Sequence, residues 1–182
     1  MTAVTALPYG RALTRDDLDA LPDDGHRYKL LDGSLLVTPA PSTRHQSVAA
    51  QLFLLLHAAV AADHVVLFAP LDVVLAEDTV LQPDLLVAPR AAFTDRDLPG
   101  APTLAVEVLS PSTRRIDLLV KHDRYRSAGC EAYWVVDPEE PAVVAWRLKD
   151  GDYAEAGRAS GTDALELSRP FPVRVVPADL LG

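Results

Sequence analysis

Cysteine is nearly absent: Cys130 stands alone in 182 residues. No internal disulfide can form, and no cysteine–histidine cluster has zinc-site spacing. Cationic excess is missing too, with 17 Lys and Arg against 26 Asp and Glu and a net charge of -9. That balance excludes a protein that coats nucleic acid by bulk charge, while a local basic site stays open. The apolar runs are interrupted by His57, Asp63, His64 and prolines, well short of the ~20 residues a membrane-spanning helix needs. The opening MTAVTALPYGRALT has no basic segment ahead of an apolar run. No export signal is expected, and a reducing, cytoplasmic setting fits. What is present is apolar. A hydrophobic content of 49% supplies a substantial core for a chain of one-domain length, so 1–182 reads as a single domain.

Thr14 ahead of Arg-Asp-Asp predicts a short helix through Leu21, with acids in its first turn. Asp32-Gly33 lies between the apolar segments 28–31 and 35–37 and predicts a hairpin. Thr43 and Gln46 have capping-box spacing. Val48, Leu52, Leu55, Leu56 and Ala59 then recur at helical intervals, predicting a helix to about Ala62. Runs rich in Val and Leu at 64–75, 80–88 and 103–109 read as strands. A second helix is expected over 114–128, closed by Gly129. Strands at 132–137 and 143–148, an Asp150-Gly151 turn and a final short pair complete the pattern. The order predicts a mixed α+β fold, a mixed sheet flanked by helices.

Three acids interrupt otherwise apolar strands: Asp72, Asp84 and Glu107. Burying a carboxylate is costly unless a cation or hydrogen-bond donors offset it. A divalent ion shared by two of them would do so, since Mg²⁺ takes oxygen ligands from one or two carboxylates, water and phosphate. Asp117, Lys121 and Tyr125 are spaced by four and can share a helical face. Lys121 could then reach back toward Glu107. Between Pro111 and Cys130 stand Arg114, Arg115, Lys121, Arg124 and Arg126 against Asp117 and Asp123, a local cationic excess where backbone phosphates would approach. No helix-turn-helix, zinc finger or stacking motif accompanies it.

These residues carry a resemblance. Gln82-Pro83-Asp84, EVLS at 107–110, the Asp117…Lys121…Tyr125 series and YWVVD at 133–137 resemble the Uma-type restriction endonuclease family of the PD-(D/E)XK nuclease superfamily. YKLLDG at 28–33, the Pro39-to-His45 loop and APLD at 69–72 resemble it too. The likeness spans about residues 26–150. It implies a restriction-endonuclease-like core with an N-terminal helix and hairpin and C-terminal β additions. It also implies hydrolysis of DNA phosphodiesters by a water activated on Mg²⁺ or Mn²⁺, with Asp84 and Glu107 as metal ligands. The superfamily places a lysine two residues after the acid, where this chain has Leu109; the family supplies it from the next helix, which makes Lys121 the matching position. His45, Asp72 and Gln82 would border the site, and Arg114, Arg115, Asp117 and Arg124 would contact or surround the substrate.

Simpler readings stand beside these. Asp84 could open an edge strand, and Glu107 could pair with Lys121 or Arg115. Lys121 could be a solvated partner of Asp117, a pair worth only ~0.3–0.5 kcal/mol on an exposed helix. His45 could cap its helix. A serine hydrolase is disfavoured, because SPST at 110–113 is no Gly-x-Ser-x-Gly elbow. The rival functions are a nuclease fold that binds or regulates without efficient turnover, and a hydrolase of smaller phosphorylated substrates. Two cuts in a duplex need two sites, so a homodimer is compatible with the reading; the sequence does not specify one.

Overall fold

The computed structural model describes residues 10–22 and 25–182. The opening segment read for an export signal, at 1–9, and positions 23 and 24 of the expected turn after the first helix lie outside the described residues.

Helix α1 (Arg15–Asp19) starts after Thr14, whose backbone N–H and hydroxyl both donate to the Asp17 carboxylate. The hairpin of β1 (Tyr28–Leu31) and β2 (Ser34–Val37) turns on Asp32 and Gly33, both at positive φ. Gly33 is needed there for a second reason: a Cβ at that position would lie 2.4 Å from the Cβ of Ala12.

Helix α2 (Thr43–Ala59) is capped by Ser42, whose hydroxyl accepts from the His45 N–H at 3.2 Å. This corrects the expected cap by one residue, because Thr43 is already helical. The helix also ends before Ala62, with Val60 turning extended. Its apolar stripe buries Val48, Leu52 and Leu56, each worth roughly 1.5–3 kcal/mol.

The long strand at 64–75 is instead two strands in different sheets, β3 (His64–Phe68) and β4 (Val73–Ala76). The run at 80–88 likewise divides into β5 (Thr79–Leu81) and β6 (Leu85–Pro89). Proline is the physical reason in both cases, since it has no N–H to continue a ladder. Pro70 and Pro83 stand at the two crossings. After β7 (Leu98–Pro99) come β8 (Leu104–Val108), a π-helical turn (Ile116–Lys121), α3 (His122–Ser127) and β9 (Ala132–Asp137). The helix expected over 114–128 is therefore composite, and Gly129 closes it at φ +83. β10 (Ala142–Lys149), β11 (Asp152–Ser160), β12 (Leu165–Leu167), β13 (Val173–Val175) and a 3₁₀ turn (Pro177–Leu181) finish the chain.

The expected mixed sheet is present, accompanied by a second one. Six strands run in the order β11-β10-β9-β8-β6-β3, with β8 and β9 parallel and the rest antiparallel. Five form the other sheet, β2-β1-β5-β4-β7. One face of the larger sheet packs on α2, β12, β13 and the last turn through Leu85, Val87, Leu104, Val106 and Trp134. Its other face meets α3 and the smaller sheet, where Ala105, Tyr125, Tyr133 and Leu81 share a cluster. The site described next opens on that second face.

Candidate active site

Alternation along the strands decides where the acids point. Val106 and Val108 pack toward α2, while Ala105 and Leu109 pack toward α3, so Glu107 faces the second side. Leu85 pairs with Val106 and Leu86 with Ala105 across the antiparallel β6–β8 ladder. Continuing that register by one residue sets Asp84 opposite Glu107, on the same face. Residues opposed in this way have Cβ atoms roughly 5 Å apart. Both carboxylates line one cleft of about 570 Å³.

Each acid is held by its neighbours. Asp84 Oδ2 accepts from the Val108 N–H at 2.8 Å and lies 3.1 Å from His45 Nε2. Burial alone would raise the Asp84 pKa, but the His45 hydrogen bond and charge overcome it and hold the carboxyl below its usual value. Burial likewise works against the His45 cation, and the Asp84 carboxylate more than restores it, leaving the imidazole pKa raised. Glu107 is 2% exposed. Burial pushes its carboxyl up to about 8, with Asp117 and Asp84 adding to the effect and Lys121 opposing it.

Lys121 reaches Glu107 Oε2 and Asp117 Oδ1, each at 2.8 Å. It is 3% exposed, and burial, which would strip its proton, is outweighed by these two carboxylates, so its pKa is raised. The π turn sets this up. Tyr133 donates its hydroxyl to the Asp117 carbonyl at 2.7 Å, satisfying a backbone group inside the widened turn. Tyr125, a turn further on, is buried against Tyr133.

One residue that sequence reasoning passed over joins the cleft. Lys29, on β1, shares the alternation of Leu31, which packs toward the larger sheet. It is 9% exposed and lines the same cleft. Burial lowers its pKa, as does repulsion from Lys121, against the attraction of Glu107, Asp84 and Asp117. The signal was available: Lys29 interrupts an apolar strand just as Asp84 and Glu107 do. The cleft mouth is apolar, with Phe68 59% and Leu54 61% exposed. Phe53 meets Phe68 edge-on at 5.5 Å.

The other expected residues separate. Gln82 lines the cleft, but its amide nitrogen donates to Asp72 at 2.8 Å. Asp72 does not line it. Arg114, Arg115 and Arg124 do not line it either. Arg114 pairs with Asp137 at 2.5 Å, and Arg124 ties the Asp32 turn to α3 at 2.5 Å. Arg126 pairs with Asp123. The cationic excess seen in sequence is largely neutralised by acids brought in from distant segments. Cys130 is buried, its thiol pKa pushed up to about 12 by burial, as a small hydrophobe should be.

Among the described residues, no group of three or more His, Cys, Asp and Glu is arranged to hold a metal. The donors present still suit a hard cation. Glu107 Oε1 is buried with no hydrogen-bond partner among the described residues, and Asp84 stands opposite it. Two carboxylates are a sufficient protein contribution for Mg²⁺ or Mn²⁺ when water and phosphate complete the shell.

A family model described as "Putative restriction endonuclease", Uma2, matches residues 15–179. The chain belongs to the Uma2 family. Among solved structures, this Uma2 chain is similar to one described as a putative nuclease belonging to DUF820 from Anabaena variabilis. The TM-score is 0.75 at 18% identity, over 93% of this chain and 97% of that one. At such identity the likeness shows a shared fold, the mixed α+β architecture expected from sequence. No curated protein matches this Uma2 chain. No described helix is long and apolar enough to cross a membrane.

Proposed function

We propose that this protein is a metal-dependent endonuclease that hydrolyses DNA phosphodiester bonds, with Asp84 and Glu107 as the metal ligands. One observation carries the reading: two acids from sequence positions 84 and 107 stand opposite each other in a cleft, and a buried oxygen of Glu107 is left without a partner. Membership of a restriction endonuclease family supports the reaction class. When bound, Mg²⁺ or Mn²⁺ would supply Lewis acidity toward a phosphoryl oxygen and a water acidic enough to serve as nucleophile near neutral pH.

The chain's own groups hold that arrangement. His45 and the Val108 N–H fix Asp84 Oδ2, and its other oxygen has no hydrogen bond among the described residues. Lys121 fixes Glu107 Oε2 while Asp117 balances the second side of the ammonium. In this reading Lys121 positions Glu107 and adds positive potential at the cleft floor. The chain acts as one domain over 1–182, with its core at about 26–150, in a cytoplasmic protein; pairing of two copies would supply the two sites a double-strand cut requires.

Plasmid DNA incubated with Mg²⁺ or Mn²⁺ tests the proposal. Nicking or linearisation is expected, abolished by EDTA and by Asp84→Asn or Glu107→Gln. Cutting that both variants retain would overturn the site assignment. One observation favours the rival reading of binding without efficient turnover: Arg114, Arg124 and Arg126 are already engaged by acids. DNA affinity without cleavage under any divalent metal would decide for it.

A further inference from the structure

Lys29 is the buried cleft cation with no ion pair among the described residues, whereas Lys121 and His45 are paired with acids. One oxygen of each neighbouring carboxylate is engaged elsewhere: Glu107 Oε2 and Asp117 Oδ1 bind Lys121, and Asp84 Oδ2 binds His45 and the Val108 N–H. Among the described residues Lys29 itself has no hydrogen bond and no ion pair within 4 Å; it interacts with the acids only at longer range. Lys29 is nine-tenths buried as a residue, and a cation drawn this far from water without a direct counter-ion costs the folded state free energy. Groups that destabilise the fold in this way are characteristic of sites shaped for a ligand.

The position of the strand makes the same point. β1 belongs to the smaller sheet, and Lys29 projects from it toward the larger sheet that carries Asp84 and Glu107. The cleft thus has acids on one wall and a lone ammonium on the other. Arg27, exposed at the mouth, is on the same strand approach.

We propose that Lys29 is the phosphate-binding group of this cleft, its ammonium donating to a non-bridging oxygen of a phosphodiester whose other side faces Asp84 and Glu107. The inference deepens the nuclease reading and rests on it for the identity of the ester, though the anion site stands without it. Lys29 then supplies the direct charge contact that Lys121, clamped between two acids, cannot give.

The test compares the wild-type chain with Lys29→Met and Lys29→Arg. Affinity for a short DNA duplex in Ca²⁺ is followed over roughly 50 to 200 mM salt, and inorganic phosphate alone is titrated by calorimetry. Thermal melts monitor the fold. Lys29→Met should weaken duplex binding about tenfold and make the slope of log K against log salt shallower by about 0.9, one phosphate contact's worth. The phosphate heat should vanish and the melting temperature hold or rise. Lys29→Arg should restore the slope. If Lys29→Met does not fold, Lys29→Gln, which keeps a polar end without charge, makes the same comparison. An unchanged slope and unchanged phosphate heat would overturn the proposal, and the nuclease reading would survive if plasmid cutting persists. Conversely, a wild-type chain that cuts nothing but binds phosphate through Lys29 would end the nuclease reading and keep the anion site.

Discussion

Asp84 faces Glu107 across the antiparallel β6–β8 pair, one residue beyond the paired Leu85 and Val106. That relationship makes the two acids a single electrostatic unit. It predicts that either one, changed to its neutral amide, removes most of the metal affinity and costs at least about a hundredfold in cleavage rate, since metal-supplied stabilisation is worth several kcal/mol. Mn²⁺ calorimetry beside plasmid nicking measures both. An Asp84→Asn protein that still binds Mn²⁺ with wild-type affinity would contradict the pairing.

Glu107 gives the site a pH dependence. Its raised pKa means that the folded chain holds this proton more tightly than the unfolded chain does. Metal-free stability is therefore highest below the ordinary value of 4.5 and falls as pH rises toward about 8. Metal binding needs the carboxylate, so affinity should rise over the same interval with release of a proton. Calorimetry in buffers of different ionisation heat counts that proton. Glu107→Gln should flatten the stability profile.

Lys121 should behave as a structural keystone. Lys121→Met leaves Glu107 and Asp117 buried without their shared cation, and breaking a buried pair costs roughly 3–5 kcal/mol. Urea unfolding of Lys121→Met against the double variant with Asp117→Asn separates the pair from the packing. A fully tolerated single change would argue for a solvated lysine.

His45 acts through Asp84. Replacement by Ala should lower metal affinity roughly 10–100-fold, the usual cost of losing the partner that orients a ligand. The pH sign is opposite to that of an ordinary carboxylate. Because the His45 pKa is raised, its stabilising contribution is complete below about 6.5 and fades as pH climbs through the higher folded value. Melting curves of His45→Gln against wild type should converge in alkaline buffer.

Arg114 and Arg124 should matter little for nucleic acid. Both are paired with acids outside the cleft, so Arg114→Ala and Arg124→Ala should change duplex affinity less than Lys29→Met does. Fluorescence anisotropy at fixed salt makes the comparison. A larger loss at Arg114 would place the phosphate track along α3 instead.

Much of this architecture was legible in sequence. The α2 stripe, the Asp32-Gly33 turn and the Gly129 terminus depend on local periodicity and backbone conformation, which a chain displays openly. The two-sheet arrangement was not, because 64–75 and 80–88 are each rich in Val and Leu from end to end and only Pro70 and Pro83 mark where the chain changes sheets. The acids were found by asking which charges interrupt apolar strands. The same question applied to YKLL would have found Lys29. Partners such as Asp137 for Arg114 and Asp32 for Arg124 could not be read, since 23 and 92 residues separate them and only tertiary contact creates the pair.

The π turn at 116–121 makes this chain sensitive to a change of residue count in one direction only. Such a turn amounts to one extra residue let into an α-helix, and each residue of an α-helix advances the chain by about 100° around its axis. A second insertion there would swing Lys121 off the acids and turn Tyr125 out of its packing, whereas loss of one position would close the turn to a regular helix with its two ends nearly in phase. Exposed Leu119 is thus the position the segment can best spare.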